Sequence, residues 1–224
     1  MKGFKKSKVD YFIKLGGSLM SNFKLLSKVL DNESSKKNIV IFPGGGVIDN
    51  LIEEIDVKNK LQPIVHHQLC ARAQDQTGLF FYSHSNNSTF FTDFVEMDKI
   101  FSENRLAIIL PMKQILSLDI FEMSGEITSD TMSAFFSNFV KAKTFVILTN
   151  VDGLLEDVDD SNSLIENITA KDLIKYGHCV IDMCLAHYLI ENKLDCIILN
   201  GLDIKNLKNF FSGENYKGTR ITGQ

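Results

Sequence analysis

The amino-acid sequence predicts an α/β fold in which helices cover both faces of a largely parallel sheet. Short β-branched and aromatic runs alternate with longer segments whose apolar residues recur at steps of three and four. Such alternation indicates a parallel sheet, because each parallel strand needs a crossover connection before the next begins. No linker divides the 224 residues, so we predict one domain spanning residues 1–224.

The strands are predicted from apolar runs that end in turn residues. The first run ends in a lysine and two glycines, the second in a proline and three glycines, and the third at Pro111. The fourth ends in Asn-Val-Asp-Gly and the fifth in Asn-Gly. These strands span 9–15, 38–42, 105–110, 144–148 and 195–199, and a terminal turn and strand covers 217–221.

The helices are predicted from apolar stripes and from residues that cap helix ends. Leucines and a valine line one face of the first helix, and Thr169 is placed to cap a short helix late in the chain. Polar loops are predicted at 83–88 and 158–163. The predicted helices are 22–30, 47–56, 63–81, the segment that follows Asp130, a turn after Thr169, 178–191 and 204–211.

Composition restricts the function classes. A net charge of −4 gives no attraction to nucleic acid or to an anionic membrane, and no apolar run approaches the ~18 residues that a membrane span needs. The four cysteines form no CxxC pair and no metal-ligand spacing with histidine, so we expect buried, reduced thiols in a cytoplasmic protein and no protein-held metal. The cysteines are Cys70, Cys179, Cys184 and Cys196.

A polar loop, a helix and a buried strand follow one another in the middle of the chain. Asp130 lies at the start of this helix, with Thr128 and Ser129 as alternative caps. The strand 144–148 then ends in Asn150-Val-Asp152-Gly153. Because ligands of open α/β sheets bind at the carboxyl ends of strands, the loop and the strand end can face one cleft. A capped helix and an ordinary Asp-Gly turn remain the alternative.

Two glycine turns follow the first two strands and predict a phosphate site. Gly16-Gly17 leads to Ser18, and Gly44-Gly45-Gly46 leads into a helix, so backbone N–H groups and a helix N-terminus can approach an anion. Neither turn matches GxxxxGK[ST] or GxGxxG, and each could be a tight strand–helix connection. Lys14 ends the first strand, where its ammonium could face a transferred phosphoryl group or extend into solvent.

These motifs, in this order, resemble those of the amino acid kinase family, which includes acetylglutamate, uridylate, carbamate and isopentenyl phosphate kinases. The resemblance runs from Phe12 to Ile221. It implies a three-layer αβα sandwich on a mostly parallel sheet, with a phosphoryl acceptor in the N-terminal half and ATP in the C-terminal half. The motifs are Lys14-Leu-Gly-Gly-Ser18, Phe42-Pro-Gly-Gly-Gly46, Thr128-Ser-Asp130, Leu148-Thr-Asn-Val-Asp-Gly153 and Lys217-Gly-Thr219.

The resemblance also implies roles for individual residues. Lys14 would contact the transferred phosphoryl group, Asp130 would position the catalytic cations, and the glycines of both turns would donate backbone N–H groups. Mg²⁺ would arrive on the phosphates of ATP, because no dense carboxylate cluster is visible. The nucleotide site would be lined by Thr149, Asn150, Asp152, Gly153, Lys217, Gly218 and Thr219.

Many family members carry a second lysine in a Gly-Gly-Met-x-x-Lys motif late in the chain. This chain reads Val180-Ile-Asp-Met-Cys-Leu-Ala-His-Tyr there. His187 or Lys217 would have to supply the second charge. If neither does, the chain would bind a nucleotide without transferring a phosphoryl group, as a storage or sensor protein.

The acceptor is predicted from a closer resemblance, to the kinases that phosphorylate [5-(aminomethyl)furan-3-yl]methyl phosphate in methanofuran biosynthesis. The shared phrases are Ile127-Thr-Ser-Asp130, Ala73-Gln-Asp75-Gln-Thr-Gly78, Val180-Ile-Asp182 and Leu199-Asn-Gly201. UMP, isopentenyl phosphate and an amino acid remain alternative acceptors, and a homo-oligomer is expected. The predicted acceptor-binding residues are His66, Asp75, Glu126, Thr128 and Ser129.

Overall fold

An eight-stranded sheet forms the centre of the molecule. The computed structural model describes residues 8–118, 127–157, 159–160, 163–176 and 180–224. The remaining two described strands form a small antiparallel hairpin beside this sheet. In chain order the strands are β1 (Tyr11–Leu15), β2 (Ile39–Pro43), β3 (Ser88–Phe91), β4 (Leu106–Ile109), β5 (Thr144–Thr149), β6 (Leu154–Leu155), β7 (Leu164–Ile165), β8 (Asn167–Thr169), β9 (Cys196–Asn200) and β10 (Thr219–Thr222).

The order across the sheet is β3-β4-β2-β1-β5-β9-β10-β8, and the first six strands are parallel. Strand β10 runs antiparallel to β9 and parallel to β8. Strand β1 lies in the interior of the sheet, with Lys14 opposite Phe42 on one neighbour and Ile147 on the other. The predicted fold, a mostly parallel sheet between helices, is confirmed.

Helices cover both faces of the sheet over two apolar cores. Phe12 and Phe136 belong to one core and Ile13 and Phe23 to the other, because successive strand residues point to opposite faces. The helices are α1 (Phe23–Ser34), α2 (Gly46–Asn59), α3 (Pro63–Tyr82), α4 (Met97–Ser102), α5 (Met112–Leu118), α6 (Ser129–Phe139), α7 (Ala170–Tyr176), α8 (Met183–Asn192) and α9 (Ile204–Ser212), with 3₁₀ helices at Gly17–Asn22 and Phe94–Glu96.

Two of the predicted elements differ from the structure. Residues 83–88 were expected to form a loop only, but Ser88 begins the edge strand β3. The helix expected over 178–191 begins at Met183, because the Asp182 side chain caps its first turn and accepts the Leu185 N–H. Residue 178 itself lies outside the described part of the chain.

The structure tests the predictions about the cysteine side chains and about membrane-spanning helices. Cys70 and Cys196 are free thiols, and Cys196 is buried as expected. The expectation of burial is wrong for Cys70 and Cys184, which are partly exposed. Cys179 lies outside the described residues. Within the described ranges, every helix is too short or too polar to cross a lipid bilayer.

Candidate active site

The two glycine turns meet at the carboxyl edge of the parallel strands. The Gly44 N–H donates to the Leu15 carbonyl at 2.9 Å, and the Gly16 N–H donates to the Leu148 carbonyl at 2.8 Å. These bonds fix each turn to the end of a neighbouring strand. The carboxyl edge of an open α/β sheet is where such folds bind ligands, so this edge is where the predicted cleft would lie.

The turns touch each other backbone to backbone. A Cβ added to Gly17 would lie 2.3 Å from the Gly46 Cα, a separation that no side chain could accept. Gly46 itself has a φ of +65°, in the left-handed region that glycine adopts without steric cost. The second turn is also held by α3, since the buried Thr77 hydroxyl donates to the Gly45 carbonyl at 2.9 Å. The glycine residues thus form one close-packed surface of main chain.

Lys14 and Asp130 form an ion pair at this edge. The Lys14 Nζ lies 2.6 Å from Asp130 Oδ1, and the two side chains are only 13% and 8% exposed. Helix α6 brings Asp130 there by packing its Phe136 into the core on the sheet face that contains Phe12. Asp130 lies in the first turn of α6, where the helix dipole favours a negative charge. The two residues predicted to be catalytic are thus in direct contact.

Thr128 is the N-cap of α6, which is one of the two alternatives that the sequence offered. Its hydroxyl accepts the Asp130 N–H at 3.2 Å and donates to the Asp182 carboxylate at 2.6 Å. Ser129 is the first residue of the helix, and a Cβ added to Gly44 would lie 3.4 Å from its hydroxyl oxygen. Ser129 therefore borders the glycine turns, and Thr128 precedes it as the helix cap. Glu126 lies outside the described residues.

Asp182 is a site residue that the sequence reasoning did not assign. Its carboxylate accepts the Thr131 hydroxyl at 2.5 Å, the Thr131 N–H at 3.1 Å and the Leu185 N–H at 2.8 Å, in addition to Thr128. One carboxylate thus joins the N-termini of α6 and α8. An aspartate immediately before an apolar helix is a capping signal and could have been recognised. Its contact with a second helix could not.

The end of β5 and the C-terminal turn meet farther along the same edge. Asp152 accepts the Asn200 side-chain amide at 2.8 Å. Gly153 has a φ of +157°, and a Cβ there would lie 2.3 Å from the Thr219 hydroxyl oxygen. That hydroxyl accepts the Leu154 N–H at 2.8 Å and donates to the Ile165 carbonyl at 2.7 Å. The hydroxyl of Thr219 is therefore already used within the protein, and the residue is fully buried where β10 pairs with β9. Its role toward a nucleotide remains a prediction.

The other residues that were predicted to bind the nucleotide differ in how far they are exposed. The Lys217 side chain is exposed, while its backbone N–H donates to Asn206 Oδ1 at 2.7 Å and its carbonyl accepts from Asn206 Nδ2 at 2.7 Å. Gly218 is buried against β9. Thr149 ends β5 and its hydroxyl lies 3.4 Å from the side-chain oxygen of the exposed Asn150. Ser18 is exposed, next to the first glycine turn.

Two residues predicted to bind the acceptor are engaged elsewhere. His66 faces α2, with its Nε2 atom 2.9 Å from Glu53 Oε1. Asp75 accepts the N–H of Met112, the first residue of α5, at 2.9 Å. Burial raises the pKa of Asp75, opposed by that hydrogen bond and by the charge of Arg72. The contacts of both residues are to neighbouring helices, and their roles toward an acceptor remain predictions.

The geometry suits the transfer of an anionic group. A transferred phosphoryl group spreads negative charge over three oxygens, and stabilisation requires cations and N–H groups that are positioned beforehand. Lys14 supplies such a cation, and Asp130 holds it in place. The glycines carry no side chains of their own, which lets an anion approach their main chain closely. The N–H groups of Gly16 and Gly44 are already bonded to strand carbonyls, so the other glycines of the two turns would make such an approach.

Comparison with known proteins agrees with this geometry. A sequence profile described as the amino acid kinase family matches residues 11–200. The [5-(aminomethyl)furan-3-yl]methyl phosphate kinase of Methanocaldococcus jannaschii is 29% identical over 215 residues, which cover 95% of this chain and 98% of that protein.

Two solved structures share the fold. Uridylate kinase from Archaeoglobus fulgidus superposes with a TM-score of 0.74 at 18% identity, covering 95% of this chain and all of that one. UMP kinase from Ureaplasma parvum superposes with a TM-score of 0.72 at 16% identity, covering 96% of this chain and 99% of that one. At these identities the superpositions support the architecture alone. The profile match over residues 11–200 shows that the chain belongs to the amino acid kinase family, a family of phosphotransferases.

Proposed function

We propose that the protein transfers a phosphoryl group from ATP to a small phosphate monoester, with the acceptor bound by the N-terminal half and ATP by the C-terminal half. The observation that carries this proposal is the ion pair between Lys14 and Asp130 beside two touching glycine turns. A protein that only binds nucleotides has no need of a nearly buried lysine held at this position, whereas phosphoryl transfer does.

The site residues are compatible with ATP that is bound as its Mg²⁺ complex. The glycine surface offers main chain that a Cβ would block, and the exposed Lys217 side chain adds a positive charge near the end of β5. Asp130 is paired with Lys14, so the phosphates are left as the main ligands of the metal ion. Bound Mg²⁺ would neutralise charge on the phosphates, while Lys14 would remain as the cation supplied by the protein.

The proposed acceptor is [5-(aminomethyl)furan-3-yl]methyl phosphate, which places the protein in methanofuran biosynthesis. The support is the 29% identity that extends over 95% of the chain, together with shared phrases at Thr128-Ser-Asp130 and around Asp182. Asp75 or Glu126 would pair with the ammonium group of this acceptor. We further propose a cytoplasmic location, since the reaction uses ATP and the thiols of Cys70 and Cys196 form no disulfide.

A substrate panel tests the acceptor. Purified protein is incubated with ATP, Mg²⁺ and one of the aminomethylfuran phosphate, UMP, isopentenyl phosphate or acetylglutamate, and ADP formation is measured. We expect kcat/KM to be highest for the aminomethylfuran phosphate. Turnover confined to UMP or isopentenyl phosphate would overturn the acceptor assignment and leave the reaction type intact.

A nucleotide-binding storage or sensor protein is the second candidate. It is favoured by one observation: the first turns of α8 carry Met183-Cys-Leu-Ala-His187 in place of the lysine motif common in the family. His187 is exposed on α8 and could supply a charge only when protonated. Tight ATP binding with no turnover of any acceptor in the panel would support this candidate over the kinase.

We also propose that the protein is a homo-oligomer. Val47, Leu51 and Ile55 recur at steps of four along α2 and are all exposed, as are Ile64 and Val65 at the start of α3. A contiguous apolar face of this kind often marks an interface. Light scattering after size-exclusion chromatography tests the proposal, and a monomeric mass that is unchanged by Leu51→Lys would contradict it.

A further inference from the structure

Four potential metal ligands line one side of the helices α2 and α3, and three of them meet there. The two helices form an antiparallel hairpin joined by residues 60–62. Glu53 and His66 stand opposite each other, and Asp49 and Cys70 lie one turn farther from the loop, each four residues from its neighbour. Residues four apart share one face of a helix. The hairpin therefore directs an aspartate, a glutamate, a histidine and a cysteine to the same side.

The distances within this group are short. The His66 Nε2 atom lies 2.9 Å from Glu53 Oε1 and 3.6 Å from the Cys70 sulfur. One potential ligand atom from each of these three residues lies within 4.8 Å of the other two. The expectation of no ligand spacing between cysteine and histidine is therefore wrong, because Cys70 follows His66 by one helical turn.

Asp49, one helical turn from Glu53, is a candidate for a fourth ligand. Its Oδ1 atom is buried with no hydrogen-bond partner among the described residues. A buried carboxylate oxygen without a partner carries a desolvation penalty. A cation bound between the two helices would supply the missing interaction.

We propose that Glu53, His66 and Cys70 form a zinc site that joins α2 to α3, with the nearby Asp49 or a water molecule in the fourth position. Zn²⁺ prefers nitrogen, sulfur and carboxylate ligands in a tetrahedron, with bonds of about 2.0–2.3 Å. Such bonds separate two ligand atoms by roughly 3.3–3.7 Å, close to the distance between His66 Nε2 and the Cys70 sulfur. Mg²⁺ and Ca²⁺ do not suit this set, because they prefer oxygen ligands. On binding, the thiol proton is released to solvent and the thiolate ligates the metal.

The site would act on the position of the second glycine turn and not on the chemistry directly. Asp49 lies in the first turn of α2, which begins at Gly46. A metal ion that fixes the start of α2 against α3 would also fix the main chain in front of that helix. The proposed ligands do not include Lys14 or Asp130, so metal binding can be measured without substrates.

A cobalt titration tests the proposal. Full-length protein is treated with EDTA, dialysed and titrated with Co²⁺, whose spectrum reports tetrahedral geometry and thiolate ligation, and Zn²⁺ is then added to displace it. We expect one equivalent of Co²⁺, a thiolate charge-transfer band, and loss of that band with at least ~10-fold weaker binding in Cys70→Ser and His66→Gln. The matched controls Cys184→Ser and His84→Gln should titrate like the parent.

A second measurement needs no variant and so does not depend on variant folding. Parent protein is alkylated with iodoacetamide with and without Zn²⁺, and mass spectrometry follows each cysteine. We expect Zn²⁺ to slow modification of Cys70 and to leave Cys184 unchanged. Substoichiometric Co²⁺ binding, binding that survives both ligand substitutions, or equal alkylation of Cys70 with and without Zn²⁺ would each overturn the zinc site and leave a hydrogen-bonded pair between Glu53 and His66.

Discussion

The Lys14 ammonium and the Asp130 carboxylate lie 2.6 Å apart although they come from a central strand and from a helix more than a hundred residues later. Each is nearly buried, so each depends on the other for compensation of its charge. Removing one partner of a buried pair leaves an uncompensated charge. Substitutions at this pair must therefore be interpreted through stability as well as through activity.

Lys14→Met is expected to lower kcat by at least ~10²-fold, the scale for the loss of one electrostatic contact in the transition state. It should also reduce the free energy of unfolding by about 3 kcal/mol, because Asp130 is left unpaired. The double variant Lys14→Met/Asp130→Asn should regain much of that stability without regaining activity. Urea denaturation and ADP formation measure the two effects. Turnover equal to the parent in Lys14→Met would show that this lysine takes no part in transfer.

Gly17→Ala is expected to abolish turnover and to lower the melting temperature, since the new methyl group would meet the Gly46 backbone at 2.3 Å. Neither turn can relax without breaking its hydrogen bond to a strand end. Gly213→Ala is the matched control, because that position has a φ of +74° and nothing within 4 Å. There only the conformational penalty of about 1 kcal/mol applies, and activity should persist. Normal turnover in Gly17→Ala would mean that the two turns separate readily.

Asp182→Ala is expected to destabilise the protein by about 1–3 kcal/mol, because it leaves the donors of two helix starts without an acceptor. Activity should fall as well, since the start of α6 also carries Asp130. Asp203 caps only α9 and accepts the Asn206 N–H at 2.9 Å, so Asp203→Ala should cost about 1 kcal/mol and leave kcat unchanged. Thermal unfolding measures the loss of stability in each variant, and turnover measures the loss of activity. Equal effects of both substitutions on kcat would argue against a positioning role for Asp182.

Asp75→Asn is expected to stabilise the protein at pH 7. Burial raises the pKa of Asp75 above its ordinary value of 3.8, so the folded chain binds more protons than the unfolded chain between those two pKa values. The free energy of unfolding therefore falls as pH rises through that interval. Asparagine removes this penalty and can still accept the Met112 N–H.

The advantage of Asp75→Asn should shrink as the pH is lowered toward 3.8, which urea denaturation across pH values will measure. If Asp75 also binds the ammonium of the acceptor, KM for the acceptor should rise in this variant while KM for ATP stays constant. A variant that is less stable than the parent at pH 7 would contradict the stability prediction.

Mg²⁺ is expected to bind together with ATP and only weakly to the nucleotide-free protein, because Asp130 is already paired with Lys14. Calorimetry of ATP binding with and without Mg²⁺, and of Mg²⁺ binding alone, measures this. Zn²⁺ bound between α2 and α3 does not interfere, since its ligand set includes nitrogen and sulfur. Tight Mg²⁺ binding without a nucleotide would reveal carboxylate ligands that the pair does not explain.

The parallel core could be predicted because its strands are apolar runs buried on both faces, as at Ile39–Pro43. The glycine turns and the helix at Asp130 could also be predicted, since the residues of each are adjacent in sequence. The edge strand Ser88–Phe91 could not be predicted in this way, because it has four residues and only the first and the last are buried, which gives no alternating pattern.

Contacts between residues that are distant in sequence could not be predicted either. Asp182 meets Thr128 only through the packing of α6 against α8, and His66 meets Glu53 only once the helical hairpin has formed. Pairing of Lys14 with Asp130 likewise follows from the sheet and not from either motif alone. Local sequence thus located the two catalytic candidates, while tertiary packing determined which charges neutralise each other.

Strand β10 lies between β9 and β8, and its pairing is the only sheet connection that β8 has among the described strands. During translation β8 and α7 leave the ribosome before β10 has been made. Residues 167–176 therefore have no sheet strand to join until Thr219–Thr222 arrive, where Arg220 also pairs with Asp195 at 2.8 Å. The half of the protein next to β5 thus completes its folding after the half that contains the glycine turns, and a nascent chain shortened before β10 would expose β8 to the quality-control machinery of the cell.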